Sequence, residues 1–172
     1  MSYYFYSFIS FIILERIVEL VRSRQNEKWL RENGAKEFGA GHYKYFIILH
    51  TLFLVSLVTE YNIRFTVFSF SFVNYLGLLI FTVMQFFRLS IFISLGKFWN
   101  TKIFVIPNNV PIKIGLYKYF RHPNYAIVIT EIITIPLSFS LFYTLIIFSV
   151  LNLLLLRIRI KEENLALYGN PD

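Results

Sequence analysis

The chain has 172 residues, of which 56% are hydrophobic and 20% aromatic, with a formal charge of +7. One soluble domain of this size has no interior large enough for that much apolar surface, so the composition points to an all-α integral membrane protein, a single membrane domain over residues 1–172 in contact with membrane lipids. The absence of cysteine excludes disulfides, thiolate nucleophiles and cysteine-ligated metals, and the basic residues lie between apolar runs, which reads as topology and phosphate signals and not as a nucleic-acid surface.

The first apolar run, from about Tyr3 to Val21, is close to the ~20 residues that cross a hydrocarbon core. It has neither the basic start nor the following small-residue cleavage site of a secretory signal, so it reads as a retained span. Glu15, Glu19 and Arg22 recur at helical spacing, so this end faces protein or interfacial water. A second span covers about Tyr43 to Thr59, with His42 and His50 read as structural. The third, Phe65 to Phe87, contains no charge, and Gly77 within it permits close helix packing. Residues 1–87 thus supply three spans.

Residues 88–172 form the remainder, a core that begins with a basic connection carrying Arg88, Lys97, Lys102, Lys113, Lys118 and Arg121. Trp29 and Trp99 read as interfacial anchors. The last apolar region, Tyr125 to Leu156, holds Glu131 as its only charge. As one helix it would reach roughly 48 Å at ~1.5 Å per residue, too long for a ~30 Å core. A hairpin of two helices broken near Pro136 to Ser140 fits better than one kinked span. Loop charges agree: the segments 22–44 and 88–121 and the Arg157, Arg159, Lys161 cluster are basic, whereas the connection around Glu60 to Arg64 is poor in bases. About five spans follow, with the N-terminus outside and the C-terminus in the cytoplasm.

Two segments beside the expected inner face carry chemistry. The first reads Gly115-Leu-Tyr-Lys-Tyr-Phe-Arg-His-Pro-Asn-Tyr125. Pro123 fits the first turn of a helix, which places His122 and Asn124 at an N-terminus whose free amides favour an anionic group. Tyr117, Tyr119 and Tyr125 offer aromatic faces for a base or a cation; the plainer alternative is a juxtamembrane aromatic belt. In the second segment, Arg157 to Gly169, Arg159 and Glu163 share a helical face, which suits either the zwitterionic end of an amino-acid cofactor or a simple stop-transfer charge cluster. Glu131, inside the last apolar region, is expected to face a cavity or a partner.

The order Gly-x-Tyr, Arg-His-Pro-x-Tyr opening a span, helical hairpin, then Glu-Glu resembles the isoprenylcysteine carboxyl methyltransferase family over roughly Arg88 to Gly169. Glu15-Arg16, Arg24-Gln-Asn-Glu-Lys-Trp29, the Gly34 to His42 stretch and His50-Thr51 are similar to its bacterial branch, alkylpyrone O-methyltransferases associated with type III polyketide synthases. The resemblance implies an S-adenosylmethionine-dependent O-methyltransferase of the bacterial cell membrane, with a lipid-like acceptor entering from the bilayer and a functional link to a type III polyketide synthase. It implies no metal. By motif position, Tyr117, His122, Pro123 and Tyr125 contact the cofactor, Glu162 or Glu163 holds its amino group, and Arg159 faces the acceptor, forming the catalytic pair with Glu163. Asn109-Val-Pro-Ile112 stands where relatives contribute further cofactor contacts but lacks their His-x-Leu-Val. Leu116 replaces a common proline and Ile127 a common glycine, and with the short C-terminus a lid built from that tail is expected to be missing or to come from elsewhere. Other hydrophobic acceptors, such as a prenylated carboxylate, and a non-enzymatic lipid-binding role are the alternative readings.

Overall fold

The computed structural model describes residues 2–64, 69–107 and 112–169. Five helices account for most of them: α1 (Ser2–Glu32), α2 (Ala40–Arg64), α3 (Phe72–Leu95), α4 (Pro123–Leu137) and α5 (Phe142–Tyr168). Two short strands, β1 (Lys36–Phe38) and β2 (Ile103–Val105), pair antiparallel with Glu37 opposite Phe104. This ribbon is an addition to the helical architecture expected from the sequence. Three-residue strands carry too little alternation to be seen in a sequence, and β1 follows a left-handed Gly34 that ends the α1 segment.

Among the described residues, three helical segments are long and apolar enough to cross a membrane: Ala40–Arg64, Phe72–Phe98 and Phe142–Tyr168. Helix α4 is apolar but has 15 residues, about 22 Å at ~1.5 Å per residue. Helix α1 carries Glu15, Arg16 and Glu19 within its apolar stretch and runs on past Val21 to Glu32. Helix α3 starts at Phe72 behind an N-cap in which the Ser71 backbone N–H donates to Asn74 Oδ1 at 2.8 Å; residues 65–68 of the expected third span lie outside the described residues. Its other end passes Phe87, so Arg88, expected in a loop, is a buried residue of α3.

The chain turns between α4 and α5 at Ser138 to Leu141. Ser138 N and Leu141 N donate back to the carbonyls of Thr134 and Pro136, each at 2.9 Å, and Ser140 takes a positive φ of 56°. Pro136 therefore sits inside the last turn of α4, with the break just behind it. Glu60 on α2 receives the opening N–H groups of α5, Thr144 N at 2.7 Å and Tyr143 N at 3.2 Å, which satisfies donors that a helix start leaves orphaned.

In a bilayer the apolar effect does not drive helices together, so close packing and polar contacts must. Phe5, Phe53, Tyr61, Phe81, Ile135 and Phe148 bring all five helices into one cluster. Phe5 stacks on Tyr61 with ring centroids 3.8 Å apart. A Cβ at Gly77 would come within 2.9 Å of Ser138 Oγ, so glycine is what lets α3 meet the α4–α5 turn. The strongest tie is ionic. Glu131 on α4 accepts from Arg88 Nε and Gln85 Nε2, each at 2.9 Å, from Arg88 Nη2, and from Arg16 Nη2 at 2.9 Å. Glu19 accepts from Arg88 Nη1 and Arg16 Nη1, each at 2.6 Å. These charges fasten α1, α3 and α4 together, because each would be far costlier unpaired in such surroundings.

Candidate active site

One strap of chain, Gly96 to Val105, closes over the start of α4. Helix α1 holds it: Asn26 Nδ2 donates to the carbonyls of Gly96 at 3.0 Å and Trp99 at 2.6 Å, and Ser23 exchanges bonds with Asn100 and Thr101. Lys102 adds an ion pair to Glu27 at 3.0 Å and another to Glu37 at 3.5 Å. Trp99 is thereby drawn in against Ile91 and Ile127 and is 4% exposed, which corrects its reading as an interfacial anchor.

On the other side, a short 3-10 turn (Gly115–Lys118) brings Tyr117 inward, and Gly115 has a positive φ of 58° and lies against Ser94. His122 caps α4 with Pro123 at the first helical position, as the local sequence requires. From α5, Arg159, Glu163 and Leu167 project at four-residue intervals from one face. The three sources enclose a small cavity of about 100 Å³ that opens to its surroundings. Tyr117, His122, Asn124, Tyr125, Arg159 and Glu163 supply its polar wall, with Asn100 and Lys102 from the strap; Leu95, Phe98, Ile103 and Leu167 supply apolar surface.

Its centre is the Tyr125 hydroxyl, which accepts from Arg159 Nε at 2.9 Å and donates to Glu163 Oε2. Arg159 and Glu163 therefore cooperate through Tyr125, where the sequence suggested a direct pair. Arg159 also donates through Nη2 to the Thr101 carbonyl at 2.6 Å, which ties α5 to the strap. The guanidinium lies 5.2 Å from the Phe46 ring centre on α2. His122 stacks on Tyr125 with centroids 5.4 Å apart, donates from Nε2 to Asn164 Oδ1 at 3.1 Å, and has Nδ1 3.5 Å from Glu163 Oε2. The Glu163 carboxylate raises the His122 pKa above its usual value. Burial pushes the Tyr117 hydroxyl well up, so it stays neutral at physiological pH.

Of the residues singled out from sequence, Tyr117, His122, Tyr125, Arg159 and Glu163 converge. Pro123 and Glu162 do not line the cavity: Pro123 is buried in the first turn of α4, and Glu162 projects from α5 at a different angle from Glu163. Asn109, Val110 and Pro111 lie outside the described residues, and Ile112 does not reach the cavity. Sequence reasoning set Asn124 at the start of α4 but gave it no role of its own in the site. Its Oδ1 is buried with no hydrogen-bond partner among the described residues, at the cavity wall. Asn100 and the Thr101 carbonyl were missed as site groups.

The chain is 39% identical over 163 residues to the uncharacterized protein YpbQ of Bacillus subtilis (strain 168), covering 95% of this chain and 96% of that one. An uncharacterized protein of Haemophilus influenzae is 31% identical over 157 residues, covering 91% and 90%. No solved structure matches. The family model for isoprenylcysteine carboxyl methyltransferases matches residues 75–169, a stretch that opens inside α3 and contains Tyr117, His122 and the whole Arg159–Tyr125–Glu163 linkage. On this match the chain belongs to the isoprenylcysteine carboxyl methyltransferase family, which consists of membrane methyltransferases.

Proposed function

We propose that the protein is an S-adenosylmethionine-dependent methyltransferase acting on an oxygen of a membrane-embedded lipid, an alkylpyrone or related polyketide. The observation that carries this reading is the Tyr125-centred cavity, in which a carboxylate, a guanidinium and aromatic faces meet beside apolar walls.

The residues fit the cofactor. Glu163 and the unpartnered Asn124 Oδ1 are acceptors suited to an ammonium group, and Arg159 and Lys102 are donors suited to a carboxylate. Tyr117 and Tyr125 offer ring faces to a cationic sulfur. When bound, S-adenosylmethionine supplies an electrophilic methyl group. The chain supplies orientation: the strap carbonyl of Thr101 and the Tyr125 hydroxyl fix Arg159, which leaves further N–H donors to hold an acceptor oxygen in line. Leu95, Phe98, Ile103 and Leu167 exclude water, and positive and negative charge then neutralise each other more favourably. An enol of a pyrone is already ionised at neutral pH, so no strong general base is required; a phenolic acceptor would need one, and Glu163 is the nearest carboxylate. A prenylated carboxylate is the second reading, favoured by the family match itself.

In this reading the chain crosses the bacterial cell membrane about five times, N-terminus outside, with the α4–α5 hairpin as the last two spans and the cavity at the cytoplasmic face. The pairing of the α1 charges with Arg88 and Glu131 supports a crossing α1. A type III polyketide synthase is the expected source of the acceptor. Equilibrium binding of S-adenosylmethionine to detergent-solubilised protein tests the cofactor, and membranes incubated with methyl-labelled cofactor, then extracted, identify the acceptor. Absence of binding by the wild type, or label recovered in no lipid, refutes the proposal.

A further inference from the structure

The Thr101 carbonyl that holds Arg159 belongs to a peptide unit with a second edge. Across the trans bond the N–H of Lys102 points the opposite way. It donates to Asn100 Oδ1 at 2.8 Å, while the carbonyl accepts from Arg159 Nη2 at 2.6 Å. The plane of this peptide therefore sets where the guanidinium lies, and the Asn100 side chain sets the plane. Asn100 is itself fixed at both ends. Its Nδ2 donates to the Ser23 carbonyl at 3.0 Å, which leaves Oδ1 as the acceptor for Lys102 N and for the Ser23 hydroxyl at 3.0 Å.

Counting donors gives these bonds a single direction. An amide oxygen only accepts, so the one hydrogen of Ser23 Oγ goes to Asn100. Ser23 Oγ then receives the Thr101 N–H at 3.1 Å and the Thr101 hydroxyl at 2.8 Å. Thr101 Oγ1, with its own hydrogen in use, accepts from the Tyr43 hydroxyl at 2.9 Å. Tyr43 on α2, Thr101 on the strap, Ser23 on α1 and Asn100 on the strap thus form one run of donors, each polarising the next. Ser23 is 4% exposed, and neither it nor Tyr43 lines the cavity.

We propose that Tyr43, Ser23 and Asn100 are positioning residues for Arg159, acting through the peptide between Thr101 and Lys102 so that the guanidinium stands where the methyl acceptor needs it. The inference rests on the methyltransferase reading for the reaction that Arg159 serves, and it has one readout that needs no reaction and one that does. In isotope-labelled, solubilised full-length protein, the Nε–H resonance of Arg159, which also bonds Tyr125, is assigned by its loss in Arg159→Lys. It should shift in Ser23→Ala and, by less, in Tyr43→Phe, which removes one hydroxyl and keeps the ring. Methyl transfer from S-adenosylmethionine to a hydroxypyrone with an alkyl tail should fall about tenfold in kcat in Ser23→Ala, the effect of about one hydrogen bond. In the Arg159→Lys background, which keeps the charge, the same substitution should reduce kcat less than about twofold, because residues that act through one another are not additive. A resonance that stays put in every variant that folds overturns the inference, as does an equal fold-loss in the two backgrounds. Absence of transfer by the wild type counts against the proposed reaction and leaves the positioning to the resonance; transfer beside an unmoved resonance does the reverse.

Discussion

Replacing Tyr125 with phenylalanine removes one hydroxyl and keeps the ring that stacks on His122. That hydroxyl bonds two ionised side chains, Arg159 and Glu163. Hydrogen bonds to charged groups contribute about 1.5–3 kcal/mol each. Both partners keep a second anchor, however: Arg159 the Thr101 carbonyl at 2.6 Å, and Glu163 the His122 ring at 3.5 Å. The expected net loss in holding the pair is nearer one such bond than two. At about 1.4 kcal/mol per decade, Tyr125→Phe should weaken S-adenosylmethionine binding roughly 10–100-fold. Equilibrium binding in detergent reads this directly, with the thermal unfolding midpoint as control. Unchanged affinity would refute the assignment of the Tyr125 linkage to the cofactor. A collapse of the midpoint that matches the loss of affinity would show that the hydroxyl serves folding instead.

Other substitutions probe the frame and its charges. Arg88→Leu leaves Glu19 and Glu131 with Arg16 as their remaining shared guanidinium, and since breaking a buried pair costs about 3–5 kcal/mol when a charge is left alone, the stability read from the midpoint in detergent should fall by up to that cost; adding Glu131→Leu should recover part of the loss. Gly77→Ala forces a methyl against Ser138 and should cost about 1–3 kcal/mol by the same measurement. For His122, the folded state holds the proton more tightly than the unfolded chain, whose value is 6.5. The stabilisation is therefore complete below that value and disappears as pH rises through the raised folded-state pKa. The stability advantage of wild type over His122→Gln should be larger at about pH 6 than at about pH 9, and a difference that grows with pH would contradict the pairing with Glu163.

The polar wall was legible where chemistry is local. Tyr117, His122 and Tyr125 fall in one short motif, and Arg159 and Glu163 are one helical turn apart, so spacing alone brings each group together. What spacing does not reveal is a partner far along the chain. Arg88 follows an apolar run and reads as the start of a loop, because its partners Glu19 and Glu131 stand 69 and 43 positions away. Trp99 has the composition of an interfacial anchor, yet the bond from Asn26 to its carbonyl, across 73 positions, pulls it inward. Asn124 was placed correctly but given no site role for a different reason: an asparagine near a helix start usually serves the backbone, and only the structure shows its carbonyl left without a partner among the described residues.

The strap from Gly96 to Val105 hangs from Ser23, Asn26 and Glu27, all of which precede the stretch that the family model matches. The matched half is thus not a detachable module. A chimera joined at residue 75 whose leading helices lack Ser23, Asn26 and Glu27 would sever the tether while leaving the matched stretch intact. Exchange of halves between relatives should succeed only when the tether and the segment it suspends travel together.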